Sequence, residues 1–504
     1  MFIGYGNQVS LSTSLFSHVI VMVKRIICLF GIVSTMLSMN LSHASNQNAL
    51  LGFIDIALRQ SDYAYDLIDK LQYSKMDVAL AEHRFETKVV PLTTIGFTQG
   101  TGSQQLGLEF RREVETGSAI AYGVVGNRLD QDSDYVVENS NNARAFIRVS
   151  QGLFRRWGKQ YNLADLNAAE LRTQKEEISS ERSRQALVLD TVQKYYDLLL
   201  ADQLLEKSRQ ALGRSQEHLR SAQSRQAVGL VSKVDVYRAE LAALDAENGL
   251  QNQNRQKQRA LDIFRELLRL TNIDEIKIPG KVQKMVPVVS DQWEEELFKA
   301  RLDWQAYRID VEVGKIGLFK AERNLTPDIG LSFTLEQKGE GESFQESLEL
   351  DQTNWSVQLE MLSTFDTFNE ESALLRKKME MAKLRRTGES LRRSITREAN
   401  DAFLDLVNED RSHQISIRRL HQAEMALELA QIRYEKGISD NLDVLEAESS
   451  YSEAELGISR ALTAYNTGAV KLAYSLGVLN PAWVAMSQPQ EFEQTALNSN
   501  MEQM

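Results

Sequence analysis

The chain has 504 residues, of which 42% are hydrophobic and 25% charged, a balance that excludes a disordered chain and a polytopic helical membrane protein. Its formal net charge of −12 argues against nucleic acid as a partner. The one cysteine, Cys28, has no partner with which to build a disulfide framework.

The N-terminal segment reads as a secretory signal peptide over residues 1–44. Lys24 and Arg25 precede the apolar run I-I-C-L-F-G-I-V, and small residues at Ser42 and Ala44 form the exit, with cleavage expected after Ala44. Such a signal would begin near Met22, so residues 1–21 are read as an upstream mis-start; a retained membrane anchor is the alternative. Ile26 and Ile27 beside Cys28 do not form a lipoprotein cleavage box, so no lipid anchor is expected. Without Lys24 and Arg25 the chain has 56 basic and 70 acidic residues, a formal charge of −14. No stretch after residue 45 approaches the roughly 20 apolar residues of a spanning helix.

Helical patterning runs over 47–88 and stops before Pro91. Residues 92–153 then read as one long hairpin, with Leu106, Leu108 and Phe110 on one face of the first strand and Ala145, Ile147 and Val149 on the second. The segment 158–226 reads as a helix roughly 100 Å long at about 1.5 Å per residue, followed by a turn and a helix over 233–270. Pro279 and Pro287 mark a linker at 279–289. The order then repeats. A helix is expected over 290–325. A hairpin over 328–364 carries Ile329, Leu331, Phe333 and Leu335 opposite Trp355, Val357, Leu359 and Met361. Helices follow over 369–434 and 441–477, and Pro481 and Pro489 open a polar tail at 479–504. The expected domains are therefore a first repeat at 45–278, the linker, a second repeat at 290–478, and the tail.

A doubled phrase supports that division. Residues 229–240 read G-L-V-S-K-V-D-V-Y-R-A-E, and 437–448 read G-I-S-D-N-L-D-V-L-E-A-E. Gly229 aligns with Gly437, Asp235 with Asp443 and Ala239-Glu240 with Ala447-Glu448, so two helical hairpins with matching tips are expected. Helices this long must pack side by side as coiled coils. In the last one, Val444, Ala447, Tyr451, Ala454, Ile458, Ala461, Tyr465, Gly468 and Leu472 alternate steps of three and four.

The fold class expected is mainly α with a small β part of four strands per chain. Four strands with one apolar face cannot close a barrel, and open edges are not tolerated in lipid. If the sheet lies in a membrane, several copies must share one barrel, and three copies give twelve strands. A soluble pair of hairpins packed on helices, as in a periplasmic helical-hairpin adaptor or scaffold, is the competing reading.

The two tips, A-V-G-L-V-S-K-V-D-V and Y-E-K-G-I-S-D-N-L-D-V-L-E-A, together with the junction V-S-Q-G-L-F-R-R-W-G after the first hairpin, resemble the TolC family of outer-membrane efflux and secretion channels. The resemblance covers about residues 47–478. It implies a homotrimer in outer-membrane lipid, with a shared twelve-stranded barrel continued by an α-helical tunnel across the periplasm. It also implies docking to a periplasmic adaptor and an inner-membrane transporter, in a tripartite efflux pump or a type I secretion system.

Asp443 and Glu446 lie three apart on one helical face, and Glu453 continues it. The resemblance places Asp443 and Glu446 at an acidic constriction, where rings of carboxylates select cations; a solvated helix face is the plainer reading. Asp235 and Tyr434 match positions that tie neighbouring helices shut, through a hydroxyl-to-carboxylate bond. Ser439 stands where an arginine braces the closed state in the family, with Lys233 the substitute expected here. Gly229, Leu230, Val231, Gly437 and Ile438 are the expected adaptor-docking tips, or else local packing across each turn. Among the histidines only His413 and His421 share an expected helix, no H-E-x-x-H occurs, and neither a phosphate-cradling glycine loop nor a nucleophile elbow is present. No enzyme activity, cofactor or metal is expected.

Overall fold

The computed structural model describes residues 46–98, 101–133, 136–270, 282–290, 292–362 and 366–488. The expected signal peptide, the first part of the linker and the end of the tail lie outside the described residues. Two helices open the described chain, α1 (Asn46–Gln60) and α2 (Asp62–His83). They break at Ser61, whose hydroxyl accepts from the amide of Ala64 at 3.2 Å and so caps α2. Four strands follow, β1 (Lys88–Thr98), β2 (Thr101–Glu113), β3 (Ser118–Ser133) and β4 (Val136–Gly152). A short α3 (Lys159–Asn162) leads into the 64-residue α4 (Ala164–Ala227), and α5 (Lys233–Leu268) returns beside it. The second part runs α6 (Trp293–Ala300), α7 (Leu302–Asn324), β5 (Ile329–Gly341), α8 (Phe344–Ser347), β6 (Gln352–Met361), the 68-residue α9 (Phe368–Glu435), α10 (Asn441–Leu476) and α11 (Pro481–Ser487). At about 1.5 Å per residue, α4 and α9 are each about 100 Å long.

The six strands form one antiparallel sheet in the order β1-β2-β3-β4-β5-β6. This corrects the expectation of four strands per chain. The segment read as a single hairpin over 92–153 is two hairpins, β1–β2 and β3–β4. A tight turn at Val114–Gly117 separates them: the Gly117 amide donates to the Val114 carbonyl at 2.9 Å, with Gly117 at φ +89°. The first strand was hidden because Pro91 interrupts it. Pro91 is the fourth residue of β1, the outermost strand of the chain's own sheet, and pairs across to Leu108.

The main core lies at the level where the helix ends meet. Leu50, Phe53 and Ile54 of α1 pack against Val192, Tyr195 and Leu199 of α4 and Phe264 of α5. The rings of Phe53 and Phe264 meet edge to face at 5.1 Å. Leu479, Trp483 and Val484 are buried in the same cluster, and Trp483 Nε1 donates to the Val288 carbonyl at 2.9 Å. Residues 479–487 are therefore not the start of a polar tail. Pro481 is placed inside the first turn of α11, behind an Asn480 cap, where a proline costs no hydrogen bond. A second cluster joins α6, α9 and α10 through Leu297, Ile395, Ala402, Tyr465 and Leu472. Every member of the expected α10 seam from Val444 to Leu472 is buried or half-buried.

Candidate gate at the helix tips

The α4–α5 and α9–α10 turns have one geometry. Gly229 and Gly437 adopt left-handed φ of +80° and +68°. At the first tip the Gly229 amide donates to Gln226 at 3.0 Å and the Leu230 amide to Arg225 at 2.9 Å; at the second, Gly437 donates to Tyr434 at 3.0 Å and Ile438 to Arg433 at 2.9 Å. Both are glycine-terminated helix ends in which the last carbonyls are satisfied by the turn. Each following helix is then capped, α5 by Ser232 and α10 by Asp440. Leu230 and Ile438 stand 72% and 65% exposed at the extremity, while Val231 is half-buried.

No atom lies within 4 Å of a side chain built on either glycine, so replacement there meets only backbone strain. Gly229→Ala and Gly437→Ala should each cost about 1–2 kcal/mol locally. The expected result is faster amide hydrogen exchange at the tip, with the circular dichroism unchanged. Unchanged exchange would show that the turns tolerate a side chain.

The tyrosine–carboxylate bond expected between Tyr434 and Asp235 is not formed. The Asp235 carboxylate is occupied by the Ser232 amide at 3.0 Å and hydroxyl at 2.6 Å, and the Ser232 hydroxyl holds the carboxyl below its usual range. The Tyr434 hydroxyl is buried without a hydrogen-bond partner among the described residues, and burial raises its pKa. Lys233 is exposed at the first position of α5. Arg225, rather than Lys233, is the basic side chain placed against Tyr434. It lies 4.5 Å from the Tyr434 ring centroid and donates to the carbonyls of Tyr434 at 2.9 Å and Glu435 at 3.1 Å. The end of α4 thus clamps the end of α9.

Further from the tip, α4 and α10 are tied along one stripe. His218 Nε2 bonds Asn441 Oδ1, and Asn441 Nδ2 donates to the Asp235 carbonyl at 2.8 Å. Arg214 pairs with Glu448, donates to Ser452 Oγ at 3.1 Å and lies over the Tyr451 ring. Lys207 reaches Glu455 at 2.6 Å, and Glu455 is only 7% exposed. The α4 partners Lys207, Arg214, His218 and Arg225 advance by seven, four and seven residues; Asn441, Glu448 and Glu455 of α10 advance by seven. Heptad spacing on two antiparallel helices keeps the polar partners in register. The stripe was missed in the sequence because its two halves lie more than 200 residues apart.

The acidic positions lie on the other side of α10. Asp443 and Glu446 are exposed, and Asp443 accepts from the Ser439 hydroxyl. Glu453 is exposed as well and pairs with Arg419 of α9 at 3.1 Å. Among the described residues no group of three or more His, Cys, Asp or Glu is placed to hold a metal ion, and no helix is long and apolar enough to cross a membrane.

A body of long paired helices carrying one antiparallel β-sheet defines the fold class, and comparison with known proteins shows what it resembles. Residues 296–478 match the family described as "Outer membrane efflux protein". The fold as a whole resembles several solved structures. A membrane protein from Pseudomonas aeruginosa is similar at TM-score 0.70 and 18% identity, over 86% of this chain and 94% of that one. The outer membrane protein VceC from Vibrio cholerae follows at 0.68 and 16%, over 85% and 96%. The Campylobacter jejuni CmeC outer membrane channel matches at 0.68 and 14%, over 92% and 93%. No curated protein sequence matches the chain. The family match covers residues 296–478 of the 504-residue chain, and the likeness to these solved structures is one of fold.

Proposed function

We propose that three copies of this chain form a passive exit duct, gated at the helix tips, through which substrates delivered by an inner-membrane transporter leave the cell. One observation carries the reading: a sheet with open edges and an apolar face is joined, within one chain, to helices about 100 Å long. The open edges call for further copies in lipid, and the helices are long enough to cross the periplasm as a tunnel. Residues 45–278 and 290–478 act as related repeats joined by 279–289, the first with an additional β-hairpin, a reading supported by the shared hydrogen bonding of the two tips. A periplasmic adaptor of a tripartite pump or type I secretion system docks at Gly229, Leu230, Val231, Gly437 and Ile438; the exposed Leu230 and Ile438 offer it apolar contacts.

Asp443 and Glu446 form the acidic constriction, since a threefold arrangement turns each into a ring of three carboxylates. The gate is held shut within each chain by Arg225 on Tyr434 and by the α4–α10 stripe. Asp235 takes part through its carbonyl, which accepts from Asn441, while Lys233 remains exposed.

The test is planar-bilayer conductance of the detergent-purified mature chain. Discrete, cation-favouring openings of low conductance are expected; a water-soluble protein without conductance would return the chain to the adaptor or scaffold reading. Asp443→Ala with Glu446→Ala should raise conductance or weaken block by divalent cations. If neither changes, the two residues are an ordinary solvated face.

A further inference from the structure

All six strands share one apolar face. Following the register across the sheet, Val89 pairs with Phe110, Phe110 with Tyr122, Tyr122 with Ile147, Ile147 with Leu335, and Leu335 with Trp355. The row is unbroken from edge to edge and every member is large and apolar. Val89, Tyr122, Ile147, Leu335 and Trp355 are exposed, and Phe110 is half-buried. Phe110 and Tyr122 stack at 5.2 Å, which couples the β1–β2 hairpin to the rest of the sheet at belt height. On β5 and β6 the opposite face carries polar residues in the same register, Glu336 beside Asn354 and Lys338 beside Gln352, while on β1 to β4 it holds a small buried cluster of Leu92, Ala121, Val125 and Phe146. An apolar belt facing outward and a polar face inward is the pattern of a membrane barrel wall. A hairpin outside the bilayer would have no reason to continue the belt, as β1 does with Val89, Ile95 and Phe97.

We propose that the β1–β2 hairpin is part of the barrel wall, and that three copies close a barrel of eighteen strands through pairing of β6 of one copy with β1 of the next. This rests on the trimeric duct reading above. Six strands fall short of the roughly eight of the smallest single-chain barrels, so the sheet cannot close on itself. Its two edges, β1 and β6, must be paired in lipid. Every neighbouring pair in the sheet is antiparallel and the strand count is even, so β6 and the β1 of a neighbouring copy also meet antiparallel. The alternation then continues around the ring without a break. Barrels of roughly 16–18 strands leave an open aqueous lumen. The helical end, not the barrel, is therefore the narrowest part of the duct.

The test uses the absence of any cysteine beyond Cys28 in the predicted signal. Thr94→Cys in β1 is combined in turn with Asn354→Cys, Ser356→Cys and Gln358→Cys in β6, all on the polar face. A parallel set replaces Thr94→Cys with Asn127→Cys in β3. After oxidation in outer-membrane preparations, disulfide-linked species are resolved by denaturing gel, and copy number is read separately by native mass spectrometry of the wild-type protein. Three copies with β1–β6 links between chains are expected. Three copies with β3–β6 links would place the first hairpin outside a twelve-stranded wall and overturn the inference while leaving the duct intact. A copy number other than three would overturn the trimeric reading itself, and the count of eighteen with it. Leu106→Cys on the apolar face of β2 gives an independent measure. It should resist a membrane-impermeant maleimide in intact membranes; ready labelling would put β2 outside the bilayer and overturn the inference.

Discussion

Replacing Arg301 with methionine should destabilise the helical body by about 3–5 kcal/mol, the cost of stranding the partners of a buried charge. Arg301 stands between α6 and α7 and is only 2% exposed. Its guanidinium makes a fork to Asp303, Nε to Oδ1 at 2.9 Å and Nη2 to Oδ2 at 2.6 Å. It also donates to the Ser475 carbonyl of α10 at 2.7 Å and to Glu398 of α9 at 2.9 Å. One side chain therefore satisfies groups from three helices, and methionine would remove its bonds to all of them. Burial alone would raise the Asp303 carboxyl, but the Arg301 guanidinium outweighs it and holds the group below its usual range. A depressed carboxylate stabilises the fold above its ordinary pKa of about 3.9, and that contribution is lost as pH falls through the lower folded value. The measurement is urea unfolding in detergent followed by helical circular dichroism, at neutral pH and at pH 3. Arg301→Met should unfold at lower urea at neutral pH. Arg301→Lys should recover only part of the loss, because an ammonium cannot make the fork. Asp303→Asn should flatten the acid end of the profile. A wild-type midpoint for Arg301→Met would show the cluster to be energetically neutral.

The second large effect is expected at Arg214. Arg214→Ala removes the pair with Glu448, the bond to Ser452 and the contact with the Tyr451 ring at once. Coupling among such contacting groups is worth about 0.5–3 kcal/mol. If these contacts hold the two hairpins together in the closed state, their loss shifts the open-to-closed ratio by up to roughly a hundredfold. Single-channel recording should show longer openings at unchanged ion selectivity. The charge swap Arg214→Glu with Glu448→Arg should restore short openings. Persistent long openings in the swap would mean that Arg214 acts through packing alone, and unchanged gating in Arg214→Ala would remove the stripe from the gate.

The long-range plan of the chain was legible because it is written in local signals. The tip glycines at 229 and 437, the three-and-four seam from Val444 to Leu472, and the alternation at 329–336 and 355–361 each reflect the periodicity of one element. The first hairpin failed for the same reason. Pro91, Gly96 and Thr98 break the local pattern of β1, and only pairing with β2 shows that Val89, Ile95 and Phe97 share a face with Leu106 and Leu108. The gate contacts lay further out of reach. Arg225, His218 and Arg214 look like ordinary polar positions of a long helix until folding brings Tyr434, Asn441 and Glu448 against them. The tyrosine and carboxylate singled out from the sequence are both at the tip, but the Ser232 cap takes the carboxylate and Arg225 takes the aromatic face.

The core that joins α1 to α11 sets an order of events during biogenesis. Leu50 stands near the beginning of the described chain and Trp483 near its end, and both complete the same cluster with Phe264. A chain that emerges from its N-terminus cannot close that cluster until α11 has arrived. Contacts of such large sequence separation form late. All six strands emerge before α11, so the apolar belt is available to lipid while the helical body is still incomplete. Membrane engagement of the sheet can thus precede consolidation of the body, and a truncation before residue 479 would leave the belt made and the core unsealed.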